Sequence, residues 1–388
     1  MNLQRLLITI AFCYIPFSLI AQKAEKQISF ARENKPYSYY VNQANLWWQV
    51  LEKDKYSENN WYNYYRACRS AQGKNDWKEV SFNDIPSLEV TKDIVKQLEK
   101  YIPNTFIYYF IVGTMGGVNP SAGESLLKAY NLNPTFEGIH SNMVTYSQSI
   151  NNLELRKKVN KEWFKINELS PGLLAYGYNV LMSLDSNSVL LTQHDNDSYP
   201  IWMLQDALGI REDVKVINID FIIVESYRNL VFKDLKLVSL NLKSQSINNY
   251  FQNWSDIVCH FLNHYDKTKP LALGLTITPN LYKSYQGPLS LKGLSLKRTS
   301  NFDIKSNLYM FEKEFLLDNL KVSLSDDNNQ KNVNEINLNY LKLFKPLYDY
   351  YKGKGNLHQV SRLKELSKIT AIKSGSKEVL SQVNKDFK

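Results

Sequence analysis

The sequence predicts an α/β fold combined with α-helical segments: N-terminal helical hairpins, a small parallel or mixed sheet domain, and a C-terminal helical hairpin. Two observations lead to this expectation. Apolar and aromatic residues recur at helical spacing over residues 38–170 and again over 306–372. Between them, over residues 171–305, short apolar runs typical of buried strands alternate with helical segments, which favours parallel strands joined by crossover helices.

The N-terminus has the pattern of an export signal. Arg5 precedes an uncharged run, Leu6–Ala21, which is interrupted by Pro16 and followed by polar residues. A helix needs about 20 apolar residues to cross a bilayer, so this run favours a signal peptide over residues 1–21 and a linker over 22–37, with an uncleaved anchor as the alternative. No later run is long enough, so we expect an exported, periplasmic or envelope-associated chain with no integral membrane span after cleavage.

Composition narrows the range of partners. The chain has 47 basic and 38 acidic residues, a net charge of +9, and the basic residues are scattered. Without a dense basic cluster interleaved with aromatic residues, nucleic acid is not expected as a partner. An envelope protein or a glycan is expected instead. Cys68 and Cys259 lie outside the signal, too few for a disulfide scaffold, so free buried thiols are expected, with a single disulfide as the alternative.

The first helical region carries a loose repeat. Helices are predicted around Tyr39–Leu51 and Asn60–Cys68, and prolines at positions 134 and 171 each follow a helical run. These prolines are 37 residues apart, close to the roughly 34-residue tetratricopeptide period. The region resembles a divergent tetratricopeptide (TPR-like) array, whose stacked helix pairs form protein-interaction surfaces.

The middle region is predicted to form a small Rossmann-like domain. Its predicted strands are 188–193, 213–220 and 270–278, with an edge strand or hairpin at 289–298. Its predicted helices are 199–208, which has Pro200 in its first turn and Gly209 as its stop, and 246–265. Beyond a polar connector at 326–332, helices are predicted at 338–351 and 357–368 in a further TPR-like hairpin. A polar tail, 373–388, is expected to fray.

The segment Leu190–Gln205, followed by Gly209–Asn218, resembles the C-terminal soluble module of a bacterial protein-O-mannosyltransferase-like membrane family of unknown function. The matching residues are Asp195, Asn196, Asp197, Tyr199, Pro200, Trp202, Gln205, Arg211, Asp213 and Asn218. The resemblance covers about residues 170–370 and implies a shared periplasmic module. It implies no shared catalysis, because the family's membrane-embedded part has no counterpart in this sequence. His194 stands where the family usually has glycine.

The Asp195–Asp197 run follows a predicted parallel strand at its carboxyl end, the edge where open α/β sheets bind ligands. The predicted ligand-binding residues are His194, Asp195, Asn196, Asp197, Ser198, Tyr199, Trp202, Asp220 and Glu225. Asp195 and Asp197 would coordinate a divalent cation through oxygen ligands. Alternatively, the run is a turn in which Asp197 or Ser198 caps the next helix.

A second candidate is formed by Asp256, His260 and His264, whose spacing of four residues places them on one helical face. Two imidazoles and one carboxylate suit zinc, whereas an exposed polar face is the simpler interpretation. No catalytic residue is predicted, since the sequence has no nucleophile elbow and no dinucleotide-binding motif.

These observations favour an exported cell-envelope binding or scaffold protein with a TPR-like interaction surface and no evident catalytic activity. The alternative is a divalent-metal-dependent module that binds or transfers a sugar or nucleotide-sugar through the Asp195-Asn196-Asp197 turn.

Overall fold

The computed structural model describes residues 23–28, 33, 35–75, 80–82, 85–88, 92–243, 249–322 and 330–388. The predicted signal peptide and most of the polar connector lie outside these residues. Within them, no helix combines the length and the apolar character needed to cross a membrane. The chain divides into two compact units, one formed by residues 1–30 with 35–103 and the other by 31–34 with 104–388.

The first unit is built on the predicted helix pair. Its elements are α1 (Tyr37–Lys53), α2 (Glu58–Lys74), β1 (Val80–Phe82), β2 (Ile85–Leu88) and α3 (Lys92–Tyr101). The buried side of α1 includes Ala44, Trp47 and Leu51. The antiparallel pairing of β1 with β2 was not predicted. Cys68 is free and buried in α2.

Helices precede the sheet in the second unit. They are α4 (Phe106–Thr114), α5 (Gly123–Leu132), α6 (Ile139–Ser149), α7 (Leu153–Lys165) and α8 (Pro171–Met182), with a 3₁₀ turn at Pro120–Ala122. Helix α5 ends two residues before Pro134, and Pro171 opens α8 after the Ser170 cap. Pro134 thus follows the end of a helix as predicted, whereas Pro171 begins the next helix and stands six residues beyond Lys165, the end of α7.

The sheet has five strands in the order β4-β3-β5-β7-β6. These are β3 (Val189–Thr192), β4 (Lys215–Asn218), β5 (Leu271–Gly274), β6 (Ser290–Lys292) and β7 (Ser295–Lys297). Strands β4 and β5 both pair with β3 in parallel, and β7 pairs antiparallel with β5 and with β6. The three predicted strands, the parallel crossover and the edge hairpin are confirmed.

The remaining helices of this unit lie between the strands in the chain and after them. They are α9 (Asp195–Leu208), α10 (Ile219–Ile222), α11 (Glu225–Leu235), α12 (Tyr250–His264), α13 (Ile304–Tyr309), α14 (Asp318–Lys321), α15 (Gln330–Asn337), α16 (Tyr340–Gly353), α17 (Leu357–Lys373) and α18 (Lys377–Asp386). A 3₁₀ turn lies at Pro279–Tyr282, and a π-helical turn at Met310–Glu314. The buried Asn179 of α8 ties this end of the chain to the domain, donating to Leu316 O at 2.8 Å and to the Tyr340 hydroxyl at 2.6 Å.

Two local predictions were wrong. Helix α9 begins at Asp195 and not at Tyr199, so Pro200 lies inside the helix instead of in its first turn. The acidic residues of the Asp195–Asp197 run suit a helix N-terminus, which explains the earlier start. The tail does not fray, because it forms α18, and Phe387 packs its ring 5.1 Å from that of Tyr348.

Arg211 fixes the start of β4 against the end of α8. Its guanidinium donates to three backbone oxygens at the end of α8 and just beyond, those of Leu181, Leu184 and Asp185, at 2.8 to 3.0 Å. It also makes a bidentate bond to Asp213, and this hydrogen bonding lowers the pKa of that carboxyl to about 2. Arg211 therefore adds donors to carbonyls at a helix C-terminus, where intrahelical partners run out, although the Leu181 carbonyl also accepts from the Leu184 N–H and that of Asp185 from the Ser188 hydroxyl.

Replacing Arg211 by lysine should destabilise the chain by roughly 2–4 kcal/mol, because an ammonium cannot serve three carbonyls and a carboxylate together. The free energy of unfolding in urea measures the loss. Arg362→Lys is the matched control, since that guanidinium stacks on Phe311 at a half-buried position. Equal losses in the two variants would contradict the structural role of Arg211.

Candidate functional site

The carboxyl ends of β3, β4 and β5 meet at one edge of the sheet. From β3 the chain crosses to β4 on one side, and from β4 it returns past β3 to β5 on the other. The end of β3 is therefore the point where the strand order reverses, and open α/β sheets bind ligands at such points. The segments that leave the three strands carry Asp197, Asp220 and Thr276, and the Thr276 hydroxyl bonds Asp197.

Asp197 is buried in this edge and turns back into the protein. One carboxyl oxygen, Oδ2, accepts hydrogen bonds from the Gln193 backbone N–H at 3.0 Å and from the Thr276 hydroxyl. The other, Oδ1, accepts from Ser198 Oγ at 3.1 Å. Burial raises the pKa of Asp197 to about 7, and these hydrogen bonds oppose the rise only in part. Asp197 thus fastens the end of β3 to the segment after β5.

The proposed capping role of Asp197 and Ser198 is wrong, because both residues lie inside α9. The N-cap position is His194, whose side chain makes no capping hydrogen bond. Ser198 instead bonds Thr192 Oγ1 at 2.7 Å and accepts from Asn218 Nδ2 at 3.0 Å. A structural role therefore describes Asp197 and Ser198. These residues act through hydrogen bonds between neighbouring strands, however, and not through helix capping.

His194 has an unusual backbone conformation, with φ 65° and ψ −177°. This region is essentially restricted to glycine, and another residue there costs about 1–3 kcal/mol. Two contacts hold it. Asn218 Nδ2 donates to the His194 carbonyl at 3.1 Å, and the His194 N–H donates to Asp220 Oδ2 at 2.9 Å. A glycine would adopt this conformation without strain, and the histidine is accommodated here at a cost in strain.

The His194 imidazole forms an exposed pair with Asp220. Its Nδ1 lies 3.0 Å from Asp220 Oδ2, and 65% of its side chain is accessible to solvent. Desolvation acts to lower the pKa of His194, but the hydrogen bond and charge of Asp220, with Asp197 and Asp195 nearby, produce a net increase. The ring of Trp254 packs edge-on at 5.6 Å. An imidazole oriented by a carboxylate can bind a ligand or accept a proton.

Of the remaining predicted residues, Asp195 lies near enough to act electrostatically on this pair, and the others do not gather around it. Ser198, Tyr199 and Trp202 are buried in the core of the domain, and Tyr199 bonds Thr145 at 2.6 Å. Asn196 is half-buried, and Asp195 is exposed in the first turn of α9. Glu225 is exposed at the start of α11 and acts electrostatically on Arg228.

The predicted metal ligands are not arranged around a common point. Among the described residues, no group of three or more histidine, cysteine, aspartate or glutamate side chains has the geometry to hold a metal ion. His260 is buried, its Nε2 lies 2.9 Å from the Val238 carbonyl, and its ring stacks on Phe232. Asp256 accepts a hydrogen bond from Gln252. His260 is therefore a packed core histidine, although its ring lies 4.7 Å from that of His264.

A cavity that the sequence did not predict lies beside β4, the outer strand of the sheet. Its volume is about 790 Å³. Its walls come from α7, α9, α11 and β4 itself, and its lining includes Leu153 of α7 and Leu230 of α11, each 47% exposed. We call it the β4 cavity.

A buried ion pair forms the back of the β4 cavity. The Arg156 guanidinium donates to both carboxyl oxygens of Asp206, at 2.8 and 3.0 Å, and to Gln148 at 2.6 Å. It also lies 5.2 Å from the ring of Trp202, and Asn160 donates to Asp206 at 2.7 Å. A buried charge pair needs such additional hydrogen bonds to offset desolvation. The partners lie 50 residues apart in the chain, so no local pattern could have revealed them.

The outer edge of β4 faces this cavity. Lys215 N–H donates to Ser188 O, so the backbone groups of Lys215 and Ile217 point towards β3. Those of Val216 point the other way, because backbone direction alternates along a strand. In the described part of the chain no strand pairs with this side of β4. One group there is already used: the Val214 carbonyl accepts from Gln205 at 2.8 Å.

The fold and these sites define a small α/β domain of the doubly wound type, framed by helical hairpins. Residues 173–342 match the family model described as TMEM260-associated domain 2. The match spans all five strands of the sheet, the His194–Asp220 pair and much of the β4 cavity. Neither the curated proteins nor the solved structures contain a significant match. The predicted resemblance is thus confirmed in part, as a match to a TMEM260-related domain, whereas the mannosyltransferase-like family stays a prediction.

The strain at His194 gives a test by substitution. His194→Gly should be more stable than His194→Ala by about 1–2 kcal/mol, because both lose the imidazole and only glycine relieves the backbone. This reverses the usual order, in which glycine costs stability relative to alanine. Urea unfolding of the two variants measures the difference. An alanine variant at least as stable as the glycine variant would contradict the assigned conformation.

Asp197 should make stability depend on pH. Its folded pKa of about 7 lies above the ordinary aspartate pKa of 3.8, so the native state binds the proton more tightly than the unfolded chain. The stabilisation that Asp197 gives the fold is complete below its pKa in the unfolded chain. It is lost as the pH rises through its pKa in the folded protein. Between about pH 4 and about pH 8 it should fall by up to about 4 kcal/mol. The stability of Asp197→Asn relative to wild type should therefore improve across that range, as measured by urea unfolding at each pH. A constant difference would contradict the assignment.

Proposed function

We propose that this chain is an exported binding protein of the bacterial cell envelope, and that its α/β domain holds an extended segment of an envelope protein along the outer edge of β4. The observation that carries this proposal is the free edge of β4 opening into a cavity of about 790 Å³. An extended peptide that adds a strand to a sheet edge gains affinity from main-chain hydrogen bonds and specificity from pockets for alternate side chains.

The edge offers a backbone donor and acceptor at Val216, beyond the part that Gln205 covers. The cavity beside it offers places for side chains. Leu153 and Leu230 supply apolar contacts, and the Arg156–Asp206 pair supplies fixed polar groups at the back. An incoming strand would therefore find backbone partners on one side and a shaped surface on the other.

The setting of the domain supports a binding role. Helical hairpins precede and follow the sheet, and stacked helix pairs serve as scaffolds that present extended surfaces to partners. The match to TMEM260-associated domain 2 links residues 173–342 to a domain named for its association with another protein family. We extend the link to the mannosyltransferase-like membrane family, so that this chain would act beside envelope machinery without performing glycosyl transfer itself. The export-like N-terminus is the basis for placing it in the envelope.

The metal-dependent sugar module has less support. Both carboxyl oxygens of Asp197 are engaged in hydrogen bonds inside the protein, while Asp195 is exposed on the first turn of α9. A divalent cation would have to displace the Gln193 and Ser198 contacts that hold the end of β3.

A photo-crosslinking amino acid at position 230 tests the proposal in the intact envelope. Leu230 lines the β4 cavity, whereas Leu208, which is similarly exposed at 48%, lies outside its lining and serves as the control position. Position 230 should give a discrete adduct whose mass spectrum identifies one protein segment, and position 208 should not. A synthetic copy of that segment should then protect the Val216 amide from hydrogen exchange, and Leu230→Arg should weaken its binding at least about tenfold, or about 1.4 kcal/mol.

Two results would contradict the proposal. One is the same set of adducts from positions 230 and 208, which would indicate unspecific contact. The other is binding of the recovered segment without protection of Val216, which would place it away from the edge of β4. Leu208→Arg should leave the affinity unchanged and controls for the added charge.

A further inference from the structure

A separate cavity of about 490 Å³ lies among α5, α6 and α7, and it is independent of the sheet and of the β4 cavity. We call it the His140 cavity. Its lining comes entirely from these helices and the turns that follow α5 and α7. An apolar part, which includes Pro134 and the 45% exposed Ile166, adjoins a group of ionisable side chains.

The ionisable group on α7 has a regular arrangement. Lys158, Glu162 and Lys165 are spaced by four and then three residues, which puts all three on the same side of the helix. Glu162 accepts a hydrogen bond from the Tyr130 hydroxyl of α5. Both lysines are exposed, and within the described ranges neither forms an ion pair. Among the lining residues two cations stand against one carboxylate, whereas the carboxylate of Glu168, 3.9 Å from His140, lies outside the lining.

His140 of α6 contributes a buried imidazole to the same lining. Its accessible fraction is only 2%, and Nδ1 makes no hydrogen bond, lying 3.9 Å from Glu168 Oε2. Burial lowers the pKa of His140, and the charge of Glu162 opposes that only in part. A neutral imidazole with unused hydrogen-bonding capacity is uncommon at a buried position, where polar atoms normally have partners.

We propose that the His140 cavity binds a small hydroxylated anion, such as an acidic sugar. The anionic group would lie between Lys158 and Lys165, and hydroxyls would bond to Glu162 and the His140 imidazole. The C–H face of a sugar ring would pack on the apolar part at Pro134 and Ile166. The two lysines select for the negative charge, and the paired donor and acceptor groups select for hydroxyls.

Calorimetry on the full chain with four probes tests this assignment. D-glucuronate and glucose 6-phosphate carry both the charge and the hydroxyls, D-glucose carries only hydroxyls, and acetate carries only the charge. At least one of the two hydroxylated anions should bind with a Kd near or below about 1 mM and at least about tenfold more tightly than glucose and acetate. The tighter of the two identifies the preferred anionic group.

Substitutions on α7 locate the binding. The double variant Lys158→Gln with Lys165→Gln should weaken it at least about tenfold, equivalent to about 1.4 kcal/mol. Lys161→Gln, on the same helix but outside the lining, should leave it unchanged. These lysines are exposed, so the fold should persist, which thermal unfolding verifies. As a second measurement, the His140 pKa followed by NMR should rise when the anion binds and should not respond to glucose.

Three results would overturn the assignment. Equal affinity for glucose and the hydroxylated anions would remove the role of the lysines, and equal affinity for acetate would remove the role of the hydroxyls. An equal loss in Lys161→Gln would show that only the net charge of the helix matters. Because no residue of the His140 cavity lines the β4 cavity, failure here leaves the proposal for β4 unaffected.

Discussion

The carboxyl edge of the sheet depends on the hydrogen bonds that the Asn218 side chain makes. Its amide nitrogen donates to the His194 carbonyl and to Ser198 Oγ, while its oxygen accepts from the Asp220 N–H. One residue at the end of β4 thus fixes the exit of β3, the first turn of α9 and the start of α10. The strained conformation of His194 persists because these bonds, with those of Asp220, over-determine it.

A second polar network joins the helices to the other side of the same domain. Arg156 of α7 and Asp206 of α9 are both about nine-tenths buried, and each has hydrogen bonds beyond their mutual pair. Removing one partner would leave an uncompensated charge, so the pair specifies how α7 lies against α9. The position of α7 in turn sets one wall of the β4 cavity and one wall of the His140 cavity. The two proposed sites consequently share a helix while using different sides of it.

Much of the fold could be predicted from the sequence because its signals are local. The apolar runs of β3, β4 and β5 and the intervening helical periods indicated a parallel sheet, and the chain order implied that their carboxyl ends meet. The start of α9 is four residues earlier than Pro200 indicates, because the acidic residues before the proline already favour the helix. The hydrogen bonds of Asp197 to Gln193 and Thr276 could not be predicted, since they depend on where β5 ends relative to β3. The β4 cavity depends on residues such as Gln148 and Tyr227, which are 79 positions apart.

Two exposed ion pairs border the β4 cavity and connect its walls. Lys157 of α7 lies 3.2 Å from Glu212, and Lys215 of β4 pairs with Asp234 of α11. Pairs this exposed contribute only about 0–1 kcal/mol each, so separating them demands little free energy. These ion pairs therefore hold the walls of the cavity together only weakly. Salt at physiological concentration weakens them further, and charged side chains of an incoming chain can replace one partner of each pair.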